Sequence, residues 1–248
     1  MSLYKGEIGL NILFCDIDGT LMRTSKAGLY AFEQATKELW DATVDFDQIK
    51  SAGMTDHYIG AQIIEKLAGR PPSAEEITAL TERYEQLLPL YLAKKDGRVM
   101  PAVFDILDVL ARRADYKLLL LTGNSRRGAE IKLAYFDLIQ YFDVPNSAFC
   151  DGHVKRGDIA QRARQNLQSV YGSVSSLRMF VIGDTPHDIH CGKEIAAYTI
   201  GVATGSYSLE QLQCHSPWWA VETLPPAAEF IAKIDQVHPA EAAREKPL

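Results

Sequence analysis

The sequence predicts an α/β fold: a mostly parallel sheet covered by helices on both faces, with an all-helical block inserted behind the first strand. Three observations predict it. Short apolar runs recur at Asn11–Cys15, 117–121, 178–182 and Tyr198–Val202. Helical periodicities of roughly ten residues or more separate the later runs, the spacing of parallel strands joined by crossover helices. Between 22 and 96 the periodicity is helical throughout, with no strand pattern.

In chain order, Asn11–Cys15 (NILFC) reads as a buried strand that stops at Asp16, and 16–21 (DIDGTL) as a loop in which Gly19 permits a tight bend. Residues 25–40 predict a helix with Leu29, Phe32, Ala35, Thr36 and Leu39 on one face. Residues 55–68 predict another, striped by Ile59, Ile63, Ile64 and Leu67. Ser73 and Glu76 have capping-box spacing and open a helix to about residue 95, which Pro89 is expected to bend or interrupt. Past Gly97 the pattern alternates. Helices are expected over 103–113, 128–136, 159–167, 189–197 and 226–234, and strands over 117–121, 148–150, 178–182, Tyr198–Val202 and 219–224. The tail beyond Val237 is expected to be loose. Residues 1–21 and 97–248 would form the sheet domain, and 22–96 a helical cap.

The chain has 248 residues, 47% of them hydrophobic, enough for one large core and a small insert. Its net charge of −6, with dispersed Lys and Arg, argues against a nucleic-acid partner and leaves room for a small anionic substrate. No apolar stretch approaches the ~18 residues of a membrane span. The first ten residues lack the pattern of a secretion signal. None of the four cysteines forms a CxxC pair, and Cys15 lies in an apolar run as a buried thiol. These features suit the cytoplasm. No interface stripe separates a monomer from a homodimer.

In open parallel sheets, ligands bind at the carboxyl ends of the strands. Three apolar runs end there in polar groups: Asp16 and Asp18, then Thr122-Gly123-Asn124, then Asp184 and Asp188. Clustered carboxylates repel one another, and burial raises the cost of each charge. A hard divalent cation resolves this, and an oxygen-only donor set favours Mg2+ over zinc.

These strings together resemble the haloacid-dehalogenase-like (HAD) hydrolase superfamily, and within it the phosphoglycolate-phosphatase-like branch. Asp16-Ile17-Asp18-Gly19-Thr20-Leu21 matches the DxDGT signature, Thr122-Gly123-Asn124 resembles the second motif, and 183–188 (GDTPHD) the fourth. The resemblance spans essentially the whole chain. It implies a Rossmann-like parallel core with an inserted helical cap, and a Mg2+-dependent phosphatase acting on a small phosphate ester. By that resemblance Asp16 is the nucleophile and forms an aspartyl-phosphate, while Asp18 protonates the leaving alcohol and then activates water. The Asp16 side chain, the Asp18 backbone carbonyl and Asp184 hold the metal, supported by Asp188. Thr122 and the Gly123 N–H cradle the phosphoryl group. The third motif departs from the family pattern: 155–158 (KRGD) lacks the usual proline, so the resemblance makes either Lys155 or Arg156 the neutralising cation, with Arg156 favoured by its spacing to Asp158, Ile159 and Ala163, and the other reading of both is as solvated surface cations.

Other residues keep two readings. Asn124 contacts phosphate or substrate, or caps the next helix. Thr55 and Asp56 contact substrate from the cap, as does His57, or one of the first two caps the helix of Ile59. Arg23 is a hinge or a substrate contact. The Trp218–Trp219 pair reads as packing. Phosphoglycolate is the nearest substrate guess, though the branch leaves the substrate open. Asp18 speaks against halide release. A sugar-phosphate mutase of the same fold and a non-catalytic binding protein remain as alternatives.

Overall fold

The computed structural model describes residues 9–152, 156–174 and 176–237. The elements follow the order β1 (Asn11–Cys15), β2 (Met22–Arg23), α1 (Ala27–Trp40), α2 (Asp56–Ala68), α3 (Ala74–Lys94), β3 (Arg98–Val99), α4 (Val103–Ala111), β4 (Tyr116–Leu120) and α5 (Arg126–Tyr135). They continue with α6 (Arg156–Tyr171), β5 (Arg178–Gly183), α7 (Pro186–Glu194), β6 (Tyr198–Val202), α8 (Leu209–Gln213), β7 (Trp219–Val221) and α9 (Ala227–Asp235).

Five strands form one sheet in the order β4-β1-β5-β6-β7, every pair parallel. The central strands are apolar on both sides, as a doubly covered sheet requires. In β1, Leu13 and Cys15 join one core with Ile106, Leu107, Leu110, Phe230 and Ile234 from α4 and α9. Ile12 and Phe14 face the other way, into a core with Ile159, Ala163 and Leu167 of α6 and Ile195 after α7. β4 and β5 alternate in the same manner, Leu118 and Phe180 to the first core, Leu119 and Val181 to the second. The sheet is thus clamped in register, and the carboxyl ends of β4, β1 and β5 are carried side by side.

The chain leaves the sheet through β2 and returns through β3, which pair antiparallel. This short ribbon was not foreseen: two residues per strand are too few for a strand periodicity. Between its arms α1, α2 and α3 gather a third core around Ala31, Phe32, Ile63, Leu80, Tyr84 and Leu88. Phe32 and Tyr84 stack with centroids 4.0 Å apart.

Pro89 does not interrupt α3, which runs unbroken from Ala74 to Lys94. Its ring removes the helical donor for the Glu85 carbonyl, but Leu80, Tyr84, Leu87, Leu88 and Leu92 pack on both sides of it and the helix continues through. Ser73 and Glu76 form the expected capping box. The strand expected over 148–150 is only a bridge between Leu121 and Ala148. Ala148 donates its N–H to Leu120 and accepts from Thr122, so the segment props the loop after β4 instead of extending the sheet. Trp219 lies in β7 against Phe230, and Trp218 against Phe180 and Tyr198, so the tryptophan pair is packing.

Candidate active site

Asp16 is the first residue past β1, buried at 5% exposure, and its N–H is held by the Ile182 carbonyl at 2.9 Å. The chain then bends at Gly19, whose φ of +83° is a left-handed conformation that suits glycine. This bend turns Thr20 back so that its hydroxyl donates to Asp184 at 3.3 Å. At the end of β5, Thr185 opens α7 and Pro186 occupies its first turn. Asp188 closes a capping box, accepting from the Thr185 N–H at 3.0 Å and hydroxyl at 2.7 Å. One carboxylate oxygen of Asp188 is thereby spent on the helix start, and the other faces the cluster.

Oxygens of Asp16, Asp184 and Asp188 lie within 4.8 Å of one another, all three residues buried. Arg156, itself buried, reaches them from the start of α6, donating from Nη2 to Asp188 at 2.5 Å and Asp16 at 3.2 Å. Its Nη1 donates to the Gly53 carbonyl at 3.2 Å. Lys155, the other candidate for this cation, lies outside the described residues. Gly205 closes the far side of the cluster: a Cβ there would sit 1.6 Å from an Asp184 oxygen, so that approach requires glycine.

Thr122 is fully buried, and its Oγ1 accepts from the Asn124 side chain at 2.8 Å. Asn124 is not the helix cap. Ser125 caps α5, accepting from the Gly128 N–H at 3.1 Å. Asn124 instead points into the site and donates to Asp18 at 3.0 Å. Asp18 does not join the acidic cluster with its side chain, which turns towards Asn124 and Lys132.

Thr55 caps α2, taking the Tyr58 N–H at 3.0 Å. Asp56 receives the Ser125 N–H at 2.8 Å, and its own N–H donates to the Gly123 carbonyl at 2.8 Å. Ser125 in turn donates to Glu85 of α3 at 2.6 Å. Residues from α2 and α3 therefore grip the loop after β4 directly. Arg23 donates to the Thr204 carbonyl, 3.0 Å from Nε.

Three groups escaped the sequence reading: Lys132, Glu85 and Ser125. Lys132 had a signal. It shares a helical face with Gly128, Ala129 and Leu133, where a solvated lysine does not belong. Glu85 and Ser125 carried none, since their meeting spans 40 positions.

Without a cation, burial and the Asp188 charge raise the Asp16 carboxyl to about 7, against the pull of Arg156. Burial, then the Asp188 and Asp16 charges, raises Asp184 to about 8. Three carboxylates face one guanidinium, leaving two negative charges uncompensated in a buried space. The cluster can coordinate a divalent metal: the donors are hard oxygens, and the charge deficit matches. The sign of the pH dependence follows. Both carboxyls titrate near 4 in the unfolded chain, so the stability they lend is present below that pH and is lost as pH rises through about 7 to 8. A bound cation replaces those protons. Mg2+ is thus expected to raise the melting temperature more at pH 8 than at pH 5.5, measured against EDTA. The reverse order would contradict a metal site here.

A parallel sheet bearing buried acids at the ends of adjacent strands, beneath a helical cover, marks a hydrolase with a Rossmann-like core and an acidic centre that can coordinate a divalent metal. The chain belongs to the haloacid dehalogenase-like hydrolase family, whose sequence profile matches residues 12–202. It is 26% identical over 218 residues to the protein named "Probable phosphatase IndB" of Dickeya dadantii, covering 86% of this chain and 89% of that one. Among solved structures it resembles a HAD hydrolase, family IA, variant 3, from Entamoeba histolytica, with TM-score 0.67 and 18% identity over 92% of this chain and all of the other. A hydrolase from Pseudomonas syringae matches with TM-score 0.65 and 17% identity over 92% and 99%. The structural likenesses speak for the fold. No helix among the described residues is long and apolar enough to cross a membrane.

Proposed function

We propose that the protein is a Mg2+-dependent phosphomonoesterase that works through an aspartyl-phosphate on Asp16, with residues 22–96 as its cap. The observation that carries this reading is the buried cluster of Asp16, Asp184, Asp188 and Arg156 opening onto a cavity of about 530 Å3. When bound, Mg2+ would supply positive charge that offsets the negative charge of the phosphoryl group in the transition state. Asp16, Asp184 and the Asp18 carbonyl would hold it, with Asp188 fixing the shell.

In the first step an Asp16 oxygen attacks phosphorus in line, the P–O bond to the alcohol breaks, and Asp18 gives the departing oxygen its proton. In the second, water attacks the same phosphorus, Asp18 takes its proton, and inorganic phosphate leaves with the Asp16 carboxylate restored. Thr122 and the Gly123 N–H donate to the equatorial oxygens, and Arg156 holds Asp16 and draws charge from the phosphoryl group. Asp56 and Thr55 would dock the start of α2 on the phosphate loop, excluding water when the cap is closed.

The cavity also speaks to the leaving group. Its cap side carries the apolar Leu29, Phe32, Met54, Ile59 and Tyr84 alongside the polar Arg23, Thr24, Ser25, Lys26, Ser51 and Asp56. Its volume falls in the range of ~300–1,000 Å3 that holds a drug-sized ligand. We therefore favour an organic phosphate whose leaving group is bulkier than glycolate and carries an apolar part beside polar groups. Burying a further ~60 Å2 of apolar surface contributes about 1.5 kcal/mol, roughly tenfold in kcat/KM. The test is a phosphate-release screen with and without Mg2+, over phosphoglycolate, sugar phosphates, nucleotides, aryl phosphates and pyrophosphate. Esters with a partly apolar leaving group should exceed phosphoglycolate by about tenfold or more. Phosphoglycolate as the best substrate would overturn the leaving-group reading, and no Mg2+-dependent release from any ester would overturn the phosphatase reading. Isomerisation of a hexose 1-phosphate without phosphate release would instead identify a mutase.

A further inference from the structure

One buried cation in the site has no part in the scheme above. Lys132, on the inner face of α5, has only 5% of its side chain exposed. Its Nζ donates to Asp18 Oδ2 at 2.5 Å and to Asn124 Oδ1 at 2.6 Å. Asp56 and Asp16 also lie near enough for their charges to act on it. It lines the same cavity as Asp16 and Arg156, under the first turn of α1, where a Cβ on Gly28 would come within 4.0 Å of Nζ. An ammonium taken out of water costs several kcal/mol unless it is well paired. A core helix face next to Ala129 and Leu133 would be filled more favourably by methionine or leucine. The position therefore serves something other than packing.

We propose that Lys132 is the positioning residue for Asp18. Two pulls compete for the Asp18 carboxylate. It lies two residues from Asp16, at the edge of an acidic cluster that fits a divalent cation, and that cation would attract a further carboxylate. Lys132 supplies the opposing charge. With Asn124 as the second donor, it fixes one Asp18 oxygen away from the cluster. The other oxygen, Oδ1, accepts from the hydroxyl of Thr24 in the cavity wall at 3.4 Å, and the Asp18 side chain keeps 41% of its surface exposed. The Asn124 amide is held at both ends, by Lys132 on its oxygen and by Thr122 on its nitrogen. The proton-transfer group and the phosphate loop are thus tied into one unit by the Lys132 ammonium and the Asn124 amide together. A carboxylate free to rotate would spend only part of its time in line with the leaving oxygen, and loss of alignment of this kind is costly in rate.

This inference rests on the phosphatase reading, and the test separates the two. Lys132→Met keeps the length and removes the charge. The Asp18 carboxylate it leaves behind is partly hydrated, so the variant should fold. Lys132→Gln, which keeps a donor without the charge, is the second variant should the first fail to fold. The substrate is 4-nitrophenyl phosphate with Mg2+, because nitrophenolate departs without needing a proton while hydrolysis of the aspartyl-phosphate still requires Asp18. The variant should lose roughly 100-fold in steady-state kcat, within the ~10²–10⁴ range of acid–base catalysis, with KM falling in parallel so that kcat/KM, which reports the first step, stays within about threefold of wild type. It should release one equivalent of nitrophenolate in a rapid burst. Adding Lys132→Met to Asp18→Asn should lower the rate no further, because the lysine acts only through Asp18. Wild-type turnover together with a variant that matches it, or that loses both steps equally without a burst, would overturn the role of Lys132 alone. A wild-type protein that releases neither nitrophenolate nor phosphate from any ester of the panel above would overturn the phosphatase reading and this inference with it.

Discussion

Asp16→Asn is expected to fold as the wild type does and to release phosphate at least about 10⁴-fold more slowly. The substitution is isosteric, so the Ile182 carbonyl still receives the N–H at position 16 and the cores on both sides of β1 are untouched. What disappears is the anionic oxygen. An amide oxygen is a poor nucleophile, and removing a nucleophile removes the step itself. Stability should not suffer with it. The native carboxyl is raised to about 7 by burial and by Asp188, so its charge is a burden on the fold at neutral pH. Arg156 keeps its 2.5 Å bond to Asp188. The melting temperature in EDTA at pH 8 should therefore equal or exceed that of the wild type while turnover is lost. Phosphate release above a few per cent in this variant would remove Asp16 from its proposed role.

The strands were legible because each central one is apolar on both faces, a signal that survives without knowing its neighbours. Cys15 to Asp16 and Gly183 to Asp184 each switch from buried apolar to acidic within one step, which marks the sheet end as a site. Boundaries were harder. The helix expected from 189 begins at Pro186, because Thr185 and Asp188 cap it and place the acid inside the first turn. The loop at 148–150 looked like a strand because it is apolar and buried, yet it borrows only one bridge from β4. The ribbon of β2 and β3 joins residues more than 70 positions apart and has no local pattern. Within the site, a motif names the acids but not their partners. The oxygen that Asp188 spends on Thr185 belongs to the local cap of α7, whereas the grip of Asp56 on Ser125 and the turn of Asp18 to Lys132 are consequences of bringing α2, α5 and the loop after β1 together. They become visible only when the elements meet.

Arg156→Met should be the most damaging single change to both stability and rate. The guanidinium reaches Asp16 and Asp188 through one nitrogen, and these three side chains are each 7% exposed or less. Taking it away leaves buried carboxylates facing one another. Breaking a buried pair from one side costs about 3–5 kcal/mol. For a chain of this size, that is a fall of roughly 10 °C in melting temperature. The loss should depend on pH in a defined direction. With the cation gone, the carboxyls titrate even higher than with it, so the penalty grows as pH rises from about 4 through neutrality and shrinks when they are protonated. Melting curves in EDTA should show the variant close to wild type at pH 5 and far below it at pH 8. Mg2+ should recover part of the difference at pH 8, because the metal supplies opposite charge to the same oxygens. Rate should not recover with it. In the proposed mechanism the phosphoryl group brings further negative charge to Asp16 and Arg156 holds the attacking oxygen in line, so phosphate release should stay down by about 10³-fold at saturating Mg2+. Arg156→Lys separates charge from geometry: an ammonium restores much of the stability but lacks the planar fork that spans Asp16, Asp188 and the Gly53 carbonyl. If the lysine variant recovers full rate, the guanidinium is only a counter-charge, and the alignment of Asp16 must come from elsewhere.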